Sequence, residues 1–310
     1  MNIAAARVAD ATGNWVDSWA PLWSRPYLRL ARFDRPIGSW LLLMPCWWSA
    51  ALAAGVAHDV SHLPWYALLF FIGSFAMRGA GCTWNDITDR DLDDKVERTR
   101  SRPIPAGQVT AKQAAVFMVL QSLVGLLVLV QFNGFAIATG IASLIIVAAY
   151  PFMKRITYWP QLVLGLAFSW GALMGFAVTL GRIDPAALFL YAGSIAWVIG
   201  YDTMYAHQDA EDDLMIGIKS TALLFGERTH LALSVLYGLA VALIGVALAL
   251  AEVHWPAWLG LAAFAAHLTQ QIVRLRIKDS PLCLKLFKSN REAGLLLAAG
   301  LLLDAILRAN

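Results

Sequence analysis

Nine stretches of 17 to 22 mostly apolar residues recur along this chain of 310, at 36–56, 64–84, 113–132, 134–152, 160–180, 186–205, 230–251, 255–273 and 292–308. A helix needs roughly 20 such residues to cross a hydrocarbon core of about 30 Å. Composition agrees, with 59% hydrophobic and 15% charged residues, against about 25% charged in a soluble domain. The connections are mostly short. The fold class expected is therefore an all-α integral membrane protein of nine transmembrane helices, forming a single domain over 1–310 with an N-terminal cytoplasmic segment at 1–30.

A net charge of +3 and a pI near 8.8 would also suit a nucleic-acid binder, but the basic residues sort by membrane side instead. With the N-terminus in the cytoplasm, 21 of the 24 Lys and Arg residues fall in inside segments. Arg182 and Arg308 fall outside, and Arg78 lies within a span. That bias follows the positive-inside rule and points to a lipid bilayer, not nucleic acid, as the partner. A bacterial inner membrane, with the charged loops on its cytoplasmic face, is the expected location.

Cys46, Cys82 and Cys283 have no CxxC spacing and read as reduced packing residues. Residues 1–35 lack the apolar core of a signal peptide and the basic run of a transit peptide. The segment RPYLRLARFDRP (25–36) reads as a basic amphipathic helix lying on the membrane surface. Trp47, Trp48, Trp65, Trp159, Trp255 and Trp258 sit near span ends and read as interfacial anchors. Gly171 and Gly175 form a GxxxG, a mark of close helix packing.

Of 21 acidic residues, six lie in 86–97 and six in 202–227. Each group follows an even-numbered span, so both are expected on one side of the membrane, where they can face one another. In NDITDRDLDDKVERTRSRPIPAG (85–107), Asn85, Asp89 and Asp93 are spaced i, i+4, i+8, which stacks them on one face if the helix continues. Asp86 lies beside that stripe. In YDTMYAHQDAEDDLMIGIKST (201–221), Asp202, Asp209 and Asp213 share a second stripe with Tyr205, and Asp212 is adjacent. Oxygen donors without Cys or an HExxH pattern suit a hard cation such as Mg²⁺ holding phosphate oxygens, and two facing carboxylate clusters need such cations between them. One acidic loop alone would read as a solvated, topology-setting segment. Two on the same side, both with helical carboxylate spacing, point to a metal-diphosphate site.

Arg98, Arg100, Arg102 and Lys219 suit a diphosphate clamp through charge-assisted bonds, although positive-inside bias accounts for any one of them singly. Arg78 stands inside the second span on the stripe 78, 82, 85, 89. A charge at membrane depth faces a polar cavity or a partner, so Arg78 either pairs with the acids or holds an anionic substrate group.

At these two motifs the chain resembles the UbiA superfamily of membrane-embedded polyprenyltransferases. The family pattern NDxxDxxxD is matched by Asn85, Asp86, Asp89 and Asp93, and DxxxD by Asp209 and Asp213. RFDRPIGSWLLLMP (32–45), YPFMKRITYWPQLVLGLAF (150–168) and YDTMYAHQDAEDDLMIGIKSTALLFG (201–226) resemble its 4-hydroxybenzoate branch in particular. The resemblance spans residues 30 to about 230. It implies a nine-helix bundle around a central cavity opening to the cytoplasmic face, and two Mg²⁺ ions. Asn85, Asp89 and Asp93 would serve one ion and Asp209 and Asp213 the other, with Asp86 and Asp202 assisting. The reaction implied is transfer of a polyprenyl group from its diphosphate to the ring carbon ortho to the hydroxyl of 4-hydroxybenzoate, in ubiquinone synthesis. Asp89, Asp93, Asp209, Asp213 and Arg155 are the catalytic candidates. Arg32, Arg78, Arg98, Arg102, Arg155, Tyr205 and Lys219 are those for substrate binding. For the acceptor carboxylate, Arg155 and Arg78 are the two candidates, with Arg32 behind them, and similarity to the family favours Arg155. Competing readings are the same chemistry on homogentisate, a naphthoate, haem or a sugar phosphate, and a cation transporter. Transporter acids, however, usually lie near the midplane on broken helices.

Overall fold

The computed structural model describes residues 13–94, 99–208, 210, 214, 215 and 217–310. The described residues form helices and no strand. In chain order these are α1 (Trp15–Ser18), α2 (Arg25–Leu30), α3 (Ile37–Ala57), α4 (Leu63–Asp93), α5 (Ala111–Leu129), α6 (Gly134–Ile156), α7 (Pro160–Phe168), α8 (Gly171–Leu180), α9 (Pro185–Ala206), α10 (Thr221–Phe225), α11 (Thr229–Leu250), α12 (Trp255–Arg274), α13 (Ser280–Lys288) and α14 (Asn290–Ala309).

Among the described residues, seven helical stretches are long and apolar enough to cross a membrane: α3, α4, α5, α6, Pro160–Leu180, α9 and Thr221–Leu250. The chain is thus a multi-pass membrane protein. The two C-terminal helices expected to span, α12 and α14, are present at 20 residues each but fall outside those seven. Their polar residues, such as Gln270 and Gln271 in α12 and Arg291 and Glu292 in α14, lower the apolar content that a span requires.

Helix ends follow local chemistry. Thr110 and Gln113 form a reciprocal capping box that starts α5. Asn133 caps α6 and also donates to the Ala177 and Val178 carbonyls at 2.8 and 3.0 Å, tying α6 to the end of α8. Gly181, at φ 67°, closes α8 in the left-handed conformation that glycine adopts without strain.

Contacts gather the chain into two compact parts. One is drawn from the chain up to Trp40 together with Phe71–Val130, and the other from Leu41–Phe70 with Gln131–Asn310. In the first, Leu30, Val109 and Ala114 form a buried cluster covered by Tyr27, Ile87, Ile104 and Phe117. This cluster binds α2, the lower end of α4, the proline-rich loop after it and the start of α5 into one body. The expectation of a surface helix over 25–36 is corrected here. The helix ends at Leu30, and Arg29, Leu30, Ala31, Arg32 and Asp34 are buried. Arg29 is held by Asp17 at 2.7 Å and Gln108 at 3.3 Å, so its charge serves the interior.

In the second part Trp48 is fully buried between Trp197 and Phe264, at ring-centroid distances of 4.9 and 5.7 Å, and its Nε1 donates to the Gly294 carbonyl at 2.8 Å. Trp48 is therefore a packing residue and not an interfacial anchor. Its indole has found both an apolar site and a hydrogen-bond acceptor inside. Trp65, Trp159, Trp255 and Trp258 are exposed as an anchor requires, while Trp47 is half-buried and donates to the Ala67 carbonyl. The GxxxG brings backbones together: a methyl on Gly175 would collide with the Ala50 nitrogen, and one on Gly171 with Cys46. Ser49 locks the crossing by donating to the Ala172 carbonyl and accepting from the Phe176 amide. All three cysteines are free and buried.

Candidate active site

The acidic motif is not a loop after the second span but the end of its helix. α4 runs without interruption from Leu63 to Asp93, since no proline or glycine follows Cys82 within it. Asn85, Asp89 and Asp93 consequently stand one above another, one helical turn apart. Asp89 and Asp93 are buried, and Asn85 is half-buried.

Asp86 is turned to other work. Its side chain is fully buried, and its Oδ1 accepts from Arg32 Nη2 at 2.6 Å and from Arg102 Nη1 at 3.2 Å. Arg102 Nη1 also reaches Asp93 Oδ2 at 2.8 Å, giving a chain of alternating charge, Arg32, Asp86, Arg102, Asp93, buried but for the half-buried Arg102. Burial works against the Arg32 charge, but Asp86 beside it outweighs that and holds the guanidinium more firmly protonated than usual. Arg32 sits at φ 59°, a conformation costing an L-residue about 1–2 kcal/mol. The loop is anchored where the helix ends: Thr99 Oγ1 donates to the Asp93 carbonyl at 2.9 Å, and the Arg102 amide donates to the Thr99 carbonyl.

Arg78, two turns above Asn85, lies against Gly38 of the PIGSW segment. A methyl there would stand 2.6 Å from Arg78 Nε, so the glycine makes room for the guanidinium. Asp34 was missed by sequence reading. It is buried, neither oxygen has a hydrogen-bond partner, Arg35 Nε stands 3.8 Å away, and burial pushes its carboxyl up to about 6. Its signal was present in RFDRP, as an acid between bases ahead of a span.

The described residues that lead to the second motif, on α9, lie in the other compact part. Asp202 and Tyr205 are half-buried on the last turns of α9, and the Tyr205 ring lies 4.6 Å from Phe287. Asp209, Asp212 and Asp213, and Arg98 of the first motif, lie outside the described residues. Among the described residues nearby, Thr203 Oγ1 lies 2.7 Å from Thr221 Oγ1 and His207 Nε2 lies 2.9 Å from Thr229 Oγ1. The Lys219 amide donates to the Lys154 carbonyl at 2.9 Å and its Nζ to the Ile156 carbonyl at 3.1 Å. Lys219 thus caps the end of α6, whose last turn carries the exposed Arg155. The structure brings these two predicted cations to one place, and it brings Arg32 and Arg102 together in the other part. Arg100 is exposed.

Asn85, Asp89 and Asp93 form an oxygen-only donor face at a helix end, which fits a hard divalent cation. Among the described residues no three carboxylate, histidine or cysteine side chains converge on one point. The further donors of the metal reading, Asp209 and Asp213, are not among those residues.

A many-helix membrane fold with an acidic motif ending one span and basic side chains beside it defines the class as that of the membrane prenyltransferases. Residues 42–298 match the UbiA prenyltransferase family, and the chain belongs to that family. It is 50% identical over 310 residues to the mitochondrial 4-hydroxybenzoate polyprenyltransferase of Rattus norvegicus, covering 98% of this chain and 79% of that one. To the enzyme of the same name from Aedes aegypti it is 48% identical over 287 residues, covering 91% of this chain and 64% of that one. The chain thus spans a little under two thirds of the mosquito protein's length. Among solved structures, the apo UbiA homolog of Aeropyrum pernix K1 superposes with a TM-score of 0.69 at 23% identity, covering 86% of this chain and 97% of that one. The Archaeoglobus fulgidus homolog, bound to GPP and Mg²⁺, gives 0.61 at 18% identity, covering 89% and 99%.

Proposed function

We infer that this protein transfers a polyprenyl group from polyprenyl diphosphate to the ring carbon ortho to the hydroxyl of 4-hydroxybenzoate, the prenylation step of ubiquinone synthesis. The observation that carries the reading is the near full-length identity to curated enzymes of that activity, joined to the stacked Asn85, Asp89 and Asp93 face on α4. The whole chain is read as one membrane-embedded catalytic domain of nine spans around a cavity open to the side of its basic loops.

Asn85, Asp89 and Asp93 would hold one Mg²⁺, and Asp209 and Asp213 a second, with Asp202 assisting. The family homolog with GPP and Mg²⁺ supports this cofactor. When bound, the ions neutralise charge that develops on the departing diphosphate. Arg98, Arg102 and Lys219 add preorganised positive charge at the same group, the kind of stabilisation that is often the largest catalytic contribution. The allylic C–O bond breaks, the ring carbon attacks, and the ring then loses its proton, for which no dedicated base is assigned. Apolar and aromatic walls, Tyr205 among them, keep water from the allylic cation.

Arg155 is assigned to the acceptor carboxylate, with Arg78 as the alternative. The seat that Gly38 makes for the Arg78 guanidinium favours keeping that alternative. Kinetics separate them: the true partner, changed to Ala, raises KM for the aromatic acid and leaves that for the prenyl donor near wild type. Arg155→Ala raising only the prenyl-donor constant would refute its assignment. For the metal face, Asp89→Ala membranes are expected to lose activity by about 100-fold or more, and wild-type activity there would refute it. The named relatives are mitochondrial, so the reading of a bacterial inner membrane gains no support from them.

A further inference from the structure

Asp86 belongs by sequence to the metal motif, yet its surroundings in the structure are those of a counter-ion. It follows Asn85 by one residue, about 100° around the helix from the stripe of Asn85, Asp89 and Asp93. Its Oδ1 is taken by two guanidiniums from segments on either side of α4 in sequence, Arg32 and Arg102, and its Oδ2 is buried with no hydrogen-bond partner. A cation on the remaining Oδ2 would stand beside the two guanidiniums that already hold Oδ1, a like-charge repulsion. Arg32, moreover, is kept in a left-handed backbone conformation in the geometry that reaches Asp86. Arg102 is shared between Asp86 and Asp93, so it contacts the proposed metal face as well.

We propose that Asp86 is a positioning residue and not a metal ligand: it fixes Arg32 and Arg102, and through Arg102 it sets the loop that meets the substrate diphosphate. The proposal rests on the reading of Asp89 and Asp93 as the metal face. It gives Arg102 two roles in sequence. Before metal binds, Arg102 neutralises Asp93. When a cation takes Asp93, Asp86 retains the guanidinium beside the site, where it pairs with diphosphate oxygens as a charge-assisted donor.

The test uses the full chain purified in detergent. Mn²⁺ affinity is measured by electron paramagnetic resonance without substrate, and steady-state constants are measured for farnesyl diphosphate and 4-hydroxybenzoate with Mg²⁺. Asp86→Asn is expected to keep the Mn²⁺ dissociation constant within about 3-fold of wild type while raising KM for farnesyl diphosphate about 10-fold or more, the scale of one charged hydrogen bond. KM for 4-hydroxybenzoate should stay unchanged, a selectivity that general loosening of the fold does not give. Asp86→Asn losing Mn²⁺ as completely as Asp89→Asn would overturn the proposal and make Asp86 a ligand. Should Asp86→Asn not fold, Arg102→Met carries the test. Freed of its competitor, Asp93 should bind Mn²⁺ more tightly by about 3-fold while KM for farnesyl diphosphate rises; an unchanged KM would overturn the proposal. Asp89→Asn binding Mn²⁺ like wild type would instead remove the metal-face reading, and the Asp86 assignment with it.

Discussion

Asp34 shows how a single side chain in this protein trades stability for placement. Its carboxyl, ordinarily at 3.8, is pushed up to about 6 by burial, against the opposing pull of Arg32. Because the folded value lies above the unfolded one, the neutral form is the one the fold prefers. The stability this contributes is fully present below about pH 4 and is lost as pH rises through 6. Above that, the fold carries an ionised carboxylate with no hydrogen bond. Asp34→Asn should therefore raise stability at pH 8 by on the order of 2–3 kcal/mol and change little at pH 4, read as Tm in detergent. Equal or lower Tm at both pH values would contradict this. None of it is visible in sequence, because RFDRP reads equally well as a solvated turn. Burial in this part of the chain is set across long sequence distances, as where Leu30 packs with Val109 and Ala114, more than seventy positions away. Sequence distance also hides the Arg32–Asp86 pair, whose members are 54 positions apart, whereas the Asn85, Asp89, Asp93 stripe is local and was readable from spacing alone.

At the scale of helices, seven of the nine stretches read from hydropathy fall on helices long and apolar enough to span, because lipid demands about 20 apolar residues whatever the fold. α3, α5 and α9 begin and end within three residues of the stretches read from sequence. α4 departs most, outrunning its apolar stretch by nine residues. Polarity ends a membrane span, but only a backbone signal ends a helix. Tryptophan at a span end is ambiguous for a related reason. Trp48 and Trp65 look alike in sequence, and only the opposing Trp197, Phe264 and Gly294 carbonyl draw Trp48 inward. The small-residue crossing of α8 over α3 makes a sharper prediction. Gly175→Val places side-chain atoms where the Ala50 and Ser49 backbone lies, and overpacking of this kind costs typically 1–3 kcal/mol, roughly, and more where backbone must move. A clear fall in Tm with loss of folded yield is expected, and a variant with wild-type Tm would show that the helices part without cost.

For the molecule as a whole, the family and the all-helical membrane class were legible because they rest on short motifs and on hydropathy. The pairing of side chains around those motifs was not. The two ends of the proposed reaction would make opposite demands: the diphosphate needs charge beside it, and the allylic cation needs a dry apolar enclosure. Both demands meet in one measurement. Membranes containing the protein are incubated with Mg²⁺, labelled 4-hydroxybenzoate, homogentisate and a naphthoate in separate reactions, and polyprenyl diphosphates of several lengths, and the products are identified by mass. The account predicts a prenylated 4-hydroxybenzoate, formed with release of diphosphate and abolished by chelation of the metal. Prenylation of another acceptor in its place, or of 4-hydroxybenzoate at the same rate without divalent metal, would contradict it.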